Sequence, residues 1–364
     1  MTLSEIIVLA CVALVMVMTL VPFVKYPHGL IRGPEFVRLQ LIVAALVLAA
    51  VSPFVLSGTP LIVVDIALVV IAAINAVFVL KFTPLWPKQS ATVAPDLRNL
   101  TDRQLMVLTA NVKMSNRDYD ATLDLARDEQ ADILALIEPD QPWIDAMGPL
   151  RQMYDHHIEL PKDTGYGLAL YSNLALSDTQ VRDLVTKGVP SITTTVTLRS
   201  GDRIALYIIH PEPPTAQDHT TGRDSEIAAA GLEGAQGDLP CIIAGDLNDV
   251  AWSHTTRRFQ RITGLLDPRV GRGFFNTFNA FYPFFRWPLD HLFHDPRFRF
   301  VAMRRLRKIG SDHFPISFTL ALAESKQGDV PPPSENEIED VTDMIEEEKA
   351  VVRTPIGTDW ETSD

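Results

Sequence analysis

Three long apolar runs open the chain, Leu3 to Val24, Val37 to Leu56 and Leu61 to Phe82, each about 20 residues, the length an α-helix needs to cross a hydrocarbon layer of ~30 Å. None carries the polar face of a helix packed on a soluble core, so residues 1–83 read as three transmembrane helices with the lipid bilayer as partner. A cleaved signal peptide fits the first run poorly. No Lys or Arg precedes it, its apolar stretch exceeds the ~7–15 residues of a signal core, and two further spans follow. Asp65 and Asn75, inside the third run, predict hydrogen bonds between helices or at the interface.

A Pro-containing, polar stretch from 84 to 102 reads as a tether. Beyond it the pattern alternates short apolar runs with amphipathic stretches. Strands are predicted at Leu105–Ala110, Ile133–Ile137, Gly167–Tyr171, Ile192–Leu198, Ile204–Ile209, Ile242–Ala244, Leu289–Phe293, Phe298–Leu306 and Phe314–Leu322. Helices are predicted at Tyr119–Gln130, Trp143–Gln152, Arg223–Ala235 and Ser253–Gly264. Several strands follow one another with no helix between them. The domain at 103–324 is therefore α+β, a sandwich of mixed sheets and not a doubly wound parallel sheet.

Charge changes the picture at the end of the chain. From Ser325 to Asp364 there are 12 acidic and 3 basic residues, a net of -9, which leaves -13 + 9 = -4 for the rest. Residues 325–364 read as an acidic disordered tail with a transient helix near Glu337 to Val351. The folded part shows no basic stripe of the kind a strong nucleic-acid binder carries. Lys25, Arg32 and Arg38 flank the first loop, the Ser57–Pro60 turn carries no Lys or Arg, and Lys81, Lys88, Arg98 and Arg103 follow the third span. This distribution predicts a cytoplasmic soluble domain. The two cysteines, Cys11 in a span and Cys241 in a strand, exclude a cysteine zinc site by count.

Polar groups that immediately follow apolar strands are candidates for chemistry, because a rigid scaffold presents them. They are Asn111 after Leu108-Thr109-Ala110, Glu138 after Ala135-Leu136-Ile137, His210 after Tyr207-Ile208-Ile209, and Asp246 and Asn248 in Gly245-Asp246-Leu247-Asn248. Two Asp-His pairs, Asp290-His291 and Asp312-His313, close the domain. Singly, each reads as a cap, a solvated carboxylate or a core histidine. Jointly they meet the needs of phosphate-ester hydrolysis: charge neutralised on phosphoryl oxygens, an activated water and a stabilised leaving group. Asn111, Glu138 and Asp312 offer oxygen ligands that suit Mg²⁺ or Mn²⁺. Asp246 is free to orient or deprotonate water, Asn248 to hold a phosphoryl oxygen, and His313, steadied by Asp290, to meet the phosphate. No GxSxG, P-loop, HExxH or GxGxxG motif is present, and a zinc hydrolase built on His210, His291, His294 and His313 lacks a helix-spaced pair.

In this order the clusters resemble the endonuclease/exonuclease/phosphatase superfamily, the deoxyribonuclease-I-like fold, over roughly Leu105 to Leu322. The resemblance implies a four-layer α/β sandwich, two packed mixed sheets flanked by helices. It also implies Asn111 and Glu138 as metal-binding strand ends, His210 as a phosphate-contacting histidine, Asp246 and Asn248 as water-activating acid and phosphate-holding amide, Asp290 as the partner of the terminal histidine, and Asp312-His313 as the closing pair. Two departures stand out: Asn116 is the nearest candidate for a second acid or amide after Asn111, and Asn173 stands where a Ser-Arg motif would place Arg. Three spans joined to this domain, with His210-Pro211-Glu212-Pro213-Pro214, are similar to membrane proteins associated with teicoplanin and vancomycin resistance, a likeness that implies a domain facing the exterior.

The aromatic stretch Phe274 to Trp287, just before Asp290, reads either as packed core or as an apolar rim that dips into lipid with Arg286 near the headgroups. With the tether and the missing basic stripe, the rim reading favours a lipid-linked phosphate or pyrophosphate over nucleic acid. A membrane-tethered nuclease and an inactive lipid- or partner-binding module are the alternatives.

Overall fold

The computed structural model describes residues Met1–Trp360 and separates into two compact units. The first comprises Met1–Pro87 with the short segments Pro214–Thr220 and Gly271–Gly273. Among the described residues, three helices are long and apolar enough to cross a membrane: Leu3–Phe23, Arg38–Val55 and Gly58–Phe82. Val8, Val12 and Val15, Leu41 and Ala45, and Val64, Leu68 and Ile71 recur at three- or four-residue spacing and pack together between the helices. Leu14, Val43, Ile62, Val63, Ile66 and Val69 point outward, an apolar exterior compatible with lipid. The predicted polar contacts are present: Asn75 donates to Thr19 Oγ1 at 2.9 Å, and Ser52 donates to Asp65 Oδ1 at 2.8 Å.

The second unit begins at Lys88 and holds two mixed sheets. Its strands are β1 (Gln104–Asn111), β2 (Ile133–Ile137), β3 (His156–Leu160), β4 (Leu168–Ser172), β5 (Ala175–Asp183), β6 (Pro190–Thr197), β7 (Arg203–Ile209), β8 (Cys241–Asp246), β9 (Asp290–His294), β10 (Phe298–Arg305) and β11 (Ile316–Leu322). One sheet runs β10-β11-β1-β2-β4-β3 and the other β5-β6-β7-β8-β9. Alternation buries one face of each sheet against the other: Leu105, Val107, Ile133, Ala135 and Ile137 meet Ile192, Val196, Leu206, Ile208 and Ile242. The opposite faces are covered by helices. Leu108 and Ala110 pack under Leu123, Ala126 and Trp143, and Tyr207, Ile209 and Ile243 pack under Ile227, Ala230 and Phe259. This is the four-layer architecture that the resemblance implied.

The topology gathers the site. β1–β2 and β7–β8 are parallel pairs, so the C-terminal ends of all four strands can face one edge. Asn111 pairs with Ile137, whose neighbour is Glu138, and Asp246 pairs with Asp290 at the start of antiparallel β9.

Four readings differ from the structure. β3 and β5 were not predicted: both are rich in polar residues and neither has a fully buried position, and β5 also carries a register shift between Ser177 and Gln180, so neither shows the alternation of a half-buried strand. The predicted helix at 143–152 is two short helices, Gln141–Ala146 and Leu150–Met153, separated at Gly148-Pro149. The tether is not free throughout. Ser90 is buried and hydrogen-bonded to His294 Nε2 at 2.7 Å, and the backbone of Ala91 and Val93 pairs with Phe300. The acidic tail holds the helix read near Glu337 to Val351, at Glu337–Lys349, but as a packed element and not a transient one: Val341 and Ile345 are buried on the outer face of the second sheet. Net charge masked that apolar stripe at i, i+4.

Candidate active site

Tight backbone turns aim the polar groups inward. Lys113, Glu138 and Asn248 all sit in the left-handed region, at φ 57°, 67° and 52°, where a residue with a side chain is strained and the surrounding structure must hold it. Gly245 has φ 144°, and a Cβ there would collide with the carbonyl of Ile209, so only glycine lets β8 approach β7 this closely.

Asn111 ties two carboxylates together: its amide nitrogen donates to Glu138 Oε1 at 2.6 Å and to Asp246 Oδ2 at 3.0 Å, while its oxygen accepts from Lys113 N at 2.9 Å. The amide acts first as an organiser of acids, beyond the ligand role the sequence suggested. Asp246 Oδ1 accepts from Asn248 N at 2.9 Å. The Asn248 side chain donates to Pro211 O at 3.0 Å and lies 3.2 Å from His210 Nε2. His313 Nδ1 is 2.8 Å from Asp290 Oδ2, and its Nε2 is 3.4 Å from Asp246 Oδ2. Two overlapping acid-imidazole groups result, Glu138 with His210 and Asp246, and Asp246 with Asp290 and His313. Asp312 lies at the margin, 3.2 Å from Lys113 Nζ.

Electrostatics separate the two histidines. Burial pulls His210 down to about 4, so its ring is neutral at neutral pH and can accept from Asn248. Burial also opposes charge on His313, yet the carboxylates of Asp246 and Asp290 outweigh it and hold the imidazole up to about 10, as a cation. Glu138 keeps 19% of its side chain exposed to the site, and desolvation pushes its carboxyl up to about 8 despite the Asn111 hydrogen bond. Asp290 is raised by desolvation as well, against the pull of His313.

Not all candidates converge. Asn116 donates to Val112 O and Ile309 O, both at 3.0 Å, and so ties two loops together. Asn173 lies just past Ser172, which pairs with Ile133 at the start of β2, the end of the sheet away from Glu138. His291 and His294 are buried in other networks: His291 bridges Arg269 and the Asp249 carbonyl, and His294 bonds Ser90. Conversely, several contributors were not singled out from the sequence. Lys113 sits two residues past Asn111. Fully buried Arg269 binds Asp267 and the carbonyl of Asp290, and Arg223 donates to the carbonyl of Asn248 at 3.1 Å. Tyr166 places its ring 5.6 Å from that of His210. The Phe278 ring lies 4.9 Å from the His313 ring, tilted 45° to it, and the two residues form a β-bridge. Only the Lys113 position, in register with a candidate strand end, was open to sequence reasoning.

A profile of the Endonuclease/Exonuclease/phosphatase family matches residues 108–313. Among solved structures, the human Nocturnin catalytic domain with bound sulfate is similar at 17% identity and a TM-score of 0.50, over 62% of this chain and 95% of that one. D. rerio TDP2 complexed with single strand DNA product is similar at 16% identity and a TM-score of 0.50, over 60% of this chain and 98% of that one. An endonuclease/exonuclease/phosphatase from Beutenbergia cavernae DSM 12333 shares 18% identity at a TM-score of 0.46, over 61% of this chain and 72% of that one. Among curated proteins, none matches the sequence.

Proposed function

The chain belongs to the endonuclease/exonuclease/phosphatase family, and from that premise we propose that it is a membrane-anchored, divalent-metal-dependent phosphoesterase acting on a lipid-linked phosphate ester or pyrophosphate. The observation that carries this reading is Asp246, shared between the Glu138–His210 group and the Asp290–His313 group within hydrogen-bonding range of Asn111 and Asn248.

The donor set fits a hard divalent cation. Desolvation of Glu138 outweighs the Asn111 hydrogen bond and the charge of His313, and a bound cation would offset the raised proton affinity that results. Glu138 would hold Mg²⁺ or Mn²⁺, and Asp312 and the Asn111 oxygen, which here meet Lys113, would join it on releasing that contact. When bound, such an ion neutralises phosphoryl charge and stabilises the leaving oxygen.

The protein's own groups supply the rest. Asp246, with one oxygen fixed by the Asn248 amide, takes the proton of an attacking water. His313, kept cationic by Asp246 and Asp290, donates to a phosphoryl oxygen, and neutral His210 with Asn248 offers hydrogen bonds on the other side.

The aromatic loop supports a lipid substrate. Phe281, Tyr282, Phe284 and Phe285 are 50%, 62%, 85% and 54% exposed, and they continue from Phe278, which touches His313. Four solvated aromatic rings beside a catalytic mouth are costly in water and favourable at a membrane interface. Arg286, Arg305 and Lys308 gather over the Phe314 ring within the same rim, where they can meet phosphate headgroups. The same cations favour the second reading, a tethered nuclease. Retention of every acid, amide and histidine of the cluster weighs against an inactive module.

The deciding experiment incubates the full chain in detergent micelles with a phospholipid, a polyprenyl pyrophosphate and duplex and single-stranded DNA, with and without Mg²⁺. Phosphate release from a lipid substrate, lost in Asp246→Ala and His313→Ala, supports the proposal; cleavage of DNA alone overturns the lipid assignment. A reporter fused at the C-terminus decides between the cytoplasmic side of the charge pattern and the exterior side of the resistance-protein likeness.

A further inference from the structure

Two residues beyond His210 the chain buries a carboxylate. Glu212 is 2% exposed, and a buried carboxylate without a partner would be unstable. Its partner comes from the far end of the chain. Arg353 grips both Glu212 oxygens, the Oε2 contact at 2.6 Å, and Ile356 N donates to Oε1 at 2.8 Å. A second link reaches His210 through a ring: Tyr166, packed 5.6 Å from the His210 imidazole, donates its hydroxyl to the Ile356 carbonyl.

The segment is built in. Gly357 packs on Pro213 and Pro355 on Gly188, and a Cβ on Gly222 would strike both Glu212 and Arg353. Arg353 also pairs with Glu348 at 2.8 Å, which ties it to the end of the Glu337–Lys349 helix. That helix is fixed in turn by buried Val341 and Ile345 and by the Arg261–Glu337 ion pair.

We propose that residues 353–358 back the active site, with Arg353 a positioning residue that holds the His210–Glu212 segment through its fork on Glu212. The inference rests on the phosphoesterase reading for its activity arm alone. Bidentate geometry is central: a planar guanidinium fixes both carboxylate oxygens, whereas an ammonium fixes one point. Without the fork, the segment that carries His210 keeps only the Ile356 N bond to Glu212, and the Ile356 carbonyl that Tyr166 binds is held less firmly. A displacement of about 1 Å in such a group is enough to lower turnover strongly.

The test uses the full chain in detergent micelles with bis(p-nitrophenyl) phosphate and Mg²⁺, comparing wild type with Arg353→Ala and Arg353→Lys. Arg353→Ala should lower kcat about tenfold with KM changed less than about twofold, Arg353→Lys should recover part of the loss, and added guanidinium ion should rescue Arg353→Ala. Amide hydrogen exchange should quicken at Ile209, His210 and Glu212, the amides of 209–213, in Arg353→Ala while 337–349 stays protected. Wild-type kcat in Arg353→Ala, or equal loosening of 337–349, overturns the proposal. If wild type itself does not cleave the diester, the functional reading has failed and the exchange arm decides alone: unchanged protection at 209–213 then overturns the positioning role.

Discussion

His313 Nδ1 lies 2.8 Å from Asp290 Oδ2, and the same ring turns its Nε2 toward Asp246 at 3.4 Å. One imidazole is thus held between two carboxylates, and this fixes its charge. Asp290→Asn removes one of them, so the proton on His313 becomes easier to lose. The alkaline limb of the pH profile of kcat/KM should move to lower pH, because an acid held up to about 10 loses part of that support. The rate at neutral pH should fall roughly a hundredfold, since the ring also loses its orientation. An unmoved alkaline limb would show that His313 is not the titrating acid.

Glu138 gives a calorimetric handle. With its carboxyl pushed up to about 8 by desolvation, it is largely protonated near pH 7, and a cation that binds it must expel that proton. Mg²⁺ titrated calorimetrically in buffers of different ionisation enthalpy should report release of about one proton per ion. Glu138→Gln should abolish the release and weaken binding at least about tenfold. Heats independent of the buffer in wild type would remove Glu138 from the metal site.

Glu226 sets a pH dependence of stability away from the site. It is buried, accepts from Thr186 N at 3.2 Å, and burial raises its carboxyl from 4.5 to about 8. The folded state therefore prefers the protonated form. Its contribution is full below the unfolded value and is lost as pH rises toward about 8. The thermal midpoint of wild type should drop between about pH 5 and pH 8.5 by more than that of Glu226→Gln, the difference worth roughly 1–3 kcal/mol. Parallel curves would contradict this assignment.

The exposed rim separates substrates. Replacing Phe281 and Phe284 by Ser should lower hydrolysis of a lipid-linked phosphate presented in vesicles about tenfold, by loss of apolar surface at the interface. Hydrolysis of soluble bis(p-nitrophenyl) phosphate should change less than about twofold, because both rings are largely exposed. Equal losses on both substrates would return the aromatic loop to a packing role.

Arg269 is fully buried, paired with Asp267 at 2.7 Å, and donates to His291 and to the Asp290 carbonyl at 3.3 Å. Arg269→Ala should destabilise the domain by about 3–5 kcal/mol, measured by denaturant unfolding, because it strands a buried carboxylate. A loss below about 1 kcal/mol would mean that the network relaxes around the cavity.

Sequence alone determined the features that local pattern imposes. Apolar length marked the three membrane-compatible helices, apolar runs marked the strands β1, β2, β4 and β6 to β11, and polar groups at strand ends singled out Asn111, Glu138, His210, Asp246, Asn248, Asp290, Asp312 and His313. These signals are legible because burial imposes a period on neighbouring residues. Strands β3 and β5 escaped because they are polar and little buried, so burial imposes no such period on them. Tertiary structure decided the rest, since it depends on partners far apart in the chain. It brought Asn111 between Glu138 and Asp246, set His210 neutral and His313 cationic, sent Asn173 to the other end of the sheet, and recruited Lys113 and Arg269. The acidic C-terminus shows the division plainly. Its charge predicted disorder, but Val341 and Ile345 found an apolar face to cover and Glu212 a guanidinium to bind, and neither surface exists until the sheets have formed.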